Sequence, residues 1–196
     1  MLIFIDIETS ALYAGHHRED NGFLYYGELL EVAAIRDDGK EFVWRMEPEK
    51  STLHHPRALE INGYHKRMNN YILQPWRNHI ERIHDVLCVP GALYVGHNVQ
   101  FDLHWLNYWF EKASLPPIPI RGVDTITLAH EHLTPCGLEG LSFDKIRKFL
   151  GWERREHHDA LNDCRDVKRL YRTLTRATMF DRLIWRGKGL CTFKFW

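Results

Sequence analysis

Apolar and polar positions alternate in blocks that outline most of the chain. Leu2–Glu8 is an apolar run closed by acids, the habit of a central sheet strand covered on both faces. Leu29–Ile35 is a second such run, followed by the turn-like Asp37-Asp38-Gly39 and by Glu41–Met46 as its hairpin partner. Pro56 opens a helical stretch to Ile61, with Gly63 as a stop, and Trp76–Leu87 reads as a helix ending before Pro90. Ala92–Val95 is a short strand, and Phe101–Lys112 carries Phe101, Trp105, Tyr108 and Trp109 at helical spacing. After Pro116-Pro117, Ile118–Asp124 predicts a strand and the next segment a helix through His132. Ser142 is a candidate N-cap for a helix to Leu150, and a last long helix is expected from Ala160 to Trp185. Strands followed by alternating helix and strand imply an α/β or α+β sheet with helices on its faces. Ser10–Gly27 breaks the scheme: it is polar, rich in His and Tyr, and reads as an unusually long loop.

Composition narrows this to one folded domain. The 196 residues are 44% hydrophobic and 27% charged, which excludes a disordered tail or a fibrous repeat. No apolar run approaches the roughly 18 residues of a spanning helix, so no membrane association is expected. Met1–Asp6 lacks the basic start and small-residue cleavage site of a signal peptide. Cys88, Cys136, Cys164 and Cys191 are widely scattered, which suits a reducing cytoplasm without disulfides. Net charge is zero and taken alone argues against a protein that coats nucleic acid. The balance is uneven, however: residues 1–140 hold 12 Lys+Arg and 19 Asp+Glu, residues 141–196 hold 14 and 7. Part of this excess is a stripe of Arg165, Arg169, Arg172 and Arg176 opposite the apolar side of the last helix, either a solvated face or a contact for distal nucleic acid.

Four acids sit where chemistry is done. Asp6 and Glu8 end the first strand two residues apart, hence on one face. Paired carboxylates repel and resist burial, and a divalent cation is the common compensation; two acids marking an exposed strand end is the plainer reading. Asp102 lies in the first turn of a helix, where the dipole favours any acid, or it is a third metal-facing carboxylate. In the last helix Asp163 points with Val167, Leu170 and Leu174 along the core-facing stripe, where an acid needs a partner. His158 falls in the loop just before, free to swing toward it, or is a surface histidine.

In order, Phe4-Ile5-Asp6-Ile7-Glu8-Thr9, Gly96-His97-Asn98-Val99-Gln100-Phe101-Asp102 and His158-Asp159-Ala160-Leu161-Asn162-Asp163 resemble the three motifs of the DEDDh (DnaQ-like) 3′–5′ exonucleases. Ala58–Gly63 and the Leu141–Gly151 segment are weaker matches, and the likeness spans roughly residues 1–175. His158, where a sister group carries tyrosine one position later, fits the histidine subtype. The resemblance implies a ribonuclease-H-like mixed sheet of about five strands flanked by helices. It implies that Asp6, Glu8, Asp102 and Asp163 hold two divalent ions, Mg²⁺ or Mn²⁺, about 4 Å apart. His158 would be the general base on water, and the product a nucleoside 5′-monophosphate from a single-stranded DNA or RNA 3′ end. By the same likeness Thr9, Ser10, His97 and Asn98 lie near the terminal nucleotide, with Leu12 or Phe101 stacking on bases.

The exonuclease domain is expected over residues 1–186, with residues 10–27 as an inserted loop that either borders the substrate, with Tyr13, His16, His17, Tyr25 and Tyr26 contacting nucleic acid, or is a mobile surface loop, and an aromatic tail over 187–196 after Gly187-Lys188-Gly189 that either docks on the domain or binds a partner. The histidine pairs at 54–55, 130/132 and 157–158 lack the four-ligand spacing of structural zinc. A separate polymerase or a second copy of the chain is an open choice of partner. Two rival readings are a catalytically silent nucleic-acid-binding adaptor on the same fold and a phosphodiesterase of small nucleotides.

Overall fold

A computed structural model describes residues 1–18, 23–49, 53–64, 66, 71–153 and 158–192, with side chains to residue 187. The strands are β1 (Leu2–Thr9), β2 (Gly15–Arg18), β3 (Leu24–Gly27), β4 (Leu29–Arg36), β5 (Glu41–Glu47), β6 (Gln74–Pro75), β7 (Leu93–Gly96) and β8 (Gly122–Asp124). The helices are α1 (Pro56–Ile61), α2 (Ile80–Leu87), α3 (Val99–Lys112), α4 (Thr125–Leu133), α5 (Phe143–Leu150), α6 (Ala160–Thr175) and α7 (Met179–Thr192). Six strands form one mixed sheet in the order β6-β5-β4-β1-β7-β8. β4 lies antiparallel to β1 and β5, while β7 is parallel to β1 and β8. This is the ribonuclease-H-like α/β architecture, with the two-residue β6 added to the five expected strands.

β1 is central because both its faces are apolar. Its odd positions Ile3, Ile5 and Ile7 join Trp109, Leu103 and Phe110 of α3 and Ile83 of α2 in one core. Phe4, on the opposite face, joins Val167, Leu170 and Leu174 of α6. The period of two therefore puts Asp6 and Glu8 on the side of the sheet that α6 covers.

Several local expectations are corrected. The 10–27 segment is not a plain loop: β2 and β3 pair as an antiparallel ribbon, Gly15 opposite Gly27 and His17 opposite Tyr25. A Cβ at Gly15 would overlap the Tyr108 hydroxyl, and one at Gly27 the Tyr13 carbonyl and Trp105 ring, so these glycines let the ribbon sit close on α3. The last helix is two: α6 ends at Thr175 and α7 begins at Met179, Thr178 and Asp181 exchanging hydrogen bonds at its start. The Gly187-Lys188-Gly189 break does not occur, since the backbone stays helical to Thr192. The aromatic residues 193–196 lie outside the described residues. Trp76–Asn78 is a 3₁₀ turn ahead of α2, β8 keeps only three of the expected seven residues, and Ser142 occupies the N-cap of α5 without a side-chain cap bond.

Candidate active site

Acids from three distant segments come near one another along the carboxyl-terminal half of β1. One ligand atom each from Glu8, His158 and Asp163 lies within 4.8 Å of the others, and among the described residues this is the sole group of three or more such side chains. Glu8 and Asp163 are buried and His158 is exposed. Burial pushes the Asp6 carboxyl well above its ordinary range, and the charges of Asp102, Asp163, Glu8 and Glu31 push it further. Asp102 is held at the other side of β1, accepting the Ile7 backbone N–H at 3.1 Å through Oδ1. Its carboxyl is also raised, chiefly by burial. Asp163 goes the opposite way: burial raises it, but hydrogen bonding and charge from His158 and Arg147 outweigh that and lower it. Glu8, His158 and Asp163 could together hold a cation, and Asp6 is close enough to Asp102, Asp163 and Glu8 for their charges to raise it.

Local structure explains each placement. Asp159 caps α6, its side chain accepting the Asn162 N–H, so His158 stands one residue outside the helix as expected. Its Nδ1 is 3.2 Å from Asp163 Oδ2, and its backbone N–H reaches the Ile61 carbonyl at 3.4 Å. Asn98 precedes α3 in the left-handed region (φ 70°), fastened by its N–H to Asp124 Oδ1 at 3.0 Å. That turn swings the first turn of α3, with Asp102, under β1.

The residues expected near substrate divide. Leu12 is 64% exposed, Asn98 is exposed and Phe101 is half-buried against Trp105. Ser10 is fully buried, its hydroxyl accepting the Glu28 N–H at 2.8 Å and donating to the Tyr26 carbonyl. The Thr9 hydroxyl donates to the Ala11 carbonyl, the Thr9 and Ser10 carbonyls accept Asn62 Nδ2 and the His55 N–H, and the Ser10 N–H donates to Glu28, so both buried residues are committed within the fold. His97 uses both ring nitrogens internally, on Thr125 Oγ1 (3.0 Å) and the Leu141 carbonyl (2.8 Å), with its ring 4.0 Å from that of Phe143. It ties β7 to the segment that leads into α5.

Two site residues were not anticipated. Arg147 of α5 is buried and binds Asp163 through Nη2 and Asp166 at 2.9 Å. Its signal was an arginine one turn after Phe143 on the apolar stripe of a short helix. Glu31 of β4 is fully buried opposite Glu8, paired with Arg45 Nε at 2.9 Å and accepting the Ala160 N–H at the start of α6. An acid inside the otherwise apolar run Leu29–Ile35 was the available clue. The arginine stripe of α6 lines a shallow depression together with Lys168 and Thr173; Arg165 is paired with Glu41, and Arg169 lies over the Trp152 ring at 4.0 Å. His54 is committed to Glu28 at 2.7 Å, while His157 lies outside the described residues.

Residues 3–171 match the exonuclease family typified by RNase T. The chain belongs to this exonuclease family. It is a nuclease fold by sequence as well as by shape. DNA polymerase III PolC-type from Staphylococcus aureus is 28% identical over 168 residues, which cover 82% of this chain and 10% of that protein. The chain thus spans about a tenth of the length of the curated relatives it matches. An exonuclease I structure superposes with a TM-score of 0.72 at 21% identity, covering 94% of this chain and 42% of that one. A zinc-bound complex of E. coli exonuclease I with single-stranded DNA gives the same score at 20% identity over 98% of this chain and 45% of that one. These likenesses bear on the fold. No helix among the described residues is long and apolar enough to cross a membrane.

Proposed function

We propose that this chain is a metal-dependent 3′–5′ exonuclease acting on single-stranded DNA or RNA ends, with its exonuclease domain within residues 1–186. The observation that carries the reading is the meeting of Glu8, Asp163 and His158 within 4.8 Å, beside an Asp6 whose charge is opposed by the neighbouring acids. Asp6, Glu8, Asp102 and Asp163 would hold two divalent ions, Mg²⁺ or Mn²⁺. Bound there, such ions neutralise phosphodiester charge and make water easier to deprotonate.

The protein's own part is proton handling and positioning. Asp163 Oδ2, 3.2 Å from His158 Nδ1, would keep a proton on that nitrogen, so Nε2 accepts the proton of the attacking water. Water oxygen bonds to phosphorus, the P–O3′ bond breaks, and the shortened strand leaves with a 3′ hydroxyl while a nucleoside 5′-monophosphate is released. Arg147 holds Asp163 in place from the other side. Exposed Leu12 and Asn98 and half-buried Phe101 are the surfaces proposed to meet the terminal nucleotide. The likeness to PolC supports a role beside a polymerase, and exonuclease I supports single-stranded substrate.

The test is a labelled-strand assay. 5′-labelled single-stranded DNA and RNA are incubated with Mg²⁺, Mn²⁺ or EDTA. The expected result is a ladder shortening from the 3′ end, abolished by EDTA and by Asp6→Ala, and slowed about 10²–10⁴-fold by His158→Ala. No mononucleotide release with either metal refutes the proposal.

A further inference from the structure

We infer that the β2–β3 ribbon is a base-stacking platform for unpaired nucleotides upstream of the terminal one. This rests on the exonuclease reading above and extends it to what the enzyme grips beyond the scissile bond.

The ribbon has two unlike faces. His16 and Tyr26, opposite one another with ring centroids 4.6 Å apart, form one. Tyr26 is buried there and hydrogen-bonds Lys112 of α3, while Gly15 and Gly27, which sit close on α3 at the root of the ribbon, share the opposite face with His17 and Tyr25. His17 and Tyr25 are the directly opposed pair on the other face, and Phe23, two residues before Tyr25, shares it. On this face the rings run in a continuous row. Phe23 is 6.5 Å from Tyr25, Tyr25 is 5.8 Å from His17, and His17 is 5.3 Å from Tyr13. The row continues inward from Tyr25 to His55 at 4.8 Å.

The inward end of the row is anchored beside the acids. The His55 N–H donates to the Ser10 carbonyl at 2.9 Å, two residues beyond Glu8. α1, which His55 opens, ends at Ile61, whose carbonyl accepts the His158 N–H, and the next residue, Asn62, donates to the Thr9 carbonyl at 3.2 Å. Thus one short helix links the aromatic row, the end of β1 and the proposed general base.

Both ends of the row reach the surface. Tyr13 is 63% and Phe23 66% exposed, large apolar rings shown to solvent next to a site for a polyanion. Aromatic faces recognise any base by stacking. A base-paired end cannot offer its base faces to such a row, so the ribbon selects single strands.

The experiment uses the full chain. Affinity for fluorescent dT12, for dT2 and for a 12-unit strand abasic except at its 3′ nucleotide is measured by anisotropy in EDTA. In parallel, hydrolysis of the p-nitrophenyl ester of thymidine 5′-monophosphate is followed with Mn²⁺. That ester reaches the acids and no further. Tyr13→Ala/Phe23→Ala is expected to weaken dT12 binding about tenfold or more, to leave dT2 binding unchanged and to keep ester hydrolysis at the wild-type rate. Tyr13→Trp, which retains a ring face, should bind dT12 like wild type. The abasic strand should bind wild type as weakly as dT12 binds the double variant. Equal dT12 affinity in wild type and double variant, or equal wild-type affinity for dT12 and the abasic strand, overturns the platform. Failure of wild type to hydrolyse either ester or oligonucleotide overturns the exonuclease reading instead, and the binding comparison still decides the ribbon.

Discussion

Replacing Arg147 with alanine is expected to be among the most damaging single changes in this protein. The guanidinium is 4% exposed and binds Asp163 and Asp166, themselves 3% and 9% exposed. Its removal takes the shared guanidinium away from two buried carboxylates. Breaking a buried pair by deleting one partner costs about 3–5 kcal/mol, most of it the desolvation of the orphaned charge. For a protein of this size each kcal/mol moves the melting temperature by about 2–4 °C, so a fall of roughly 6–20 °C follows. The assay is thermal and urea denaturation in EDTA, so that no metal stands in for the lost charge. Arg147→Lys should fall between, because an ammonium cannot fork to both acids. A double-mutant cycle with Asp166→Asn should show coupling of about 0.5–3 kcal/mol. A loss for Arg147→Ala below about 1 kcal/mol, the worth of a surface pair, would refute the reasoning.

Other outcomes follow from the same geometry. The folded-state pKa of Asp6 lies above its unfolded value near 3.8, so the metal-free fold loses stability as pH rises from about 4 through the folded pKa. Asp6→Asn is therefore expected to raise the melting temperature at pH 7 in EDTA while abolishing activity, and a lower melting temperature would contradict it. Asp163 has the opposite sign: its folded pKa is lowered, and the stability it contributes is present above pH 4 and lost as pH falls through the folded value. Acid titration of wild type against Asp163→Asn, followed by circular dichroism, checks this. Asn98→Gly should leave stability within about 0.5 kcal/mol, whereas Asn98→Ala should cost about 1–2 kcal/mol for the left-handed backbone at φ 70°; urea midpoints separate them. His97→Ala, which removes the imidazole bonds to Thr125 Oγ1 and to the Leu141 carbonyl, should cost about 1–3 kcal/mol, read from the same midpoints.

Local periodicity alone placed much of this site. A period of two puts Asp6 and Glu8 on one face of β1 whatever that strand packs against, and a period of 3.6 puts Asp163 with Val167, Leu170 and Leu174 whatever they cover. The order of the acids along the chain, each at a strand end or helix start, carried the family resemblance, and with it the sheet. Other features depended on contacts that sequence spacing does not encode. Arg147 read as one cation among many until α5 was laid against α6, because only burial separates a structural guanidinium from a solvated one. Glu31 became a site neighbour through strand register, and the ribbon in 10–27 formed without the β-branched alternation that marks a strand, since its pairing leans on α3 rather than on its own propensity. The sequence by itself determined which side chains carry charge and which face each one takes within its element. The tertiary structure decided which of those charges meet, because their free energies hinge on desolvation by segments far away in the chain.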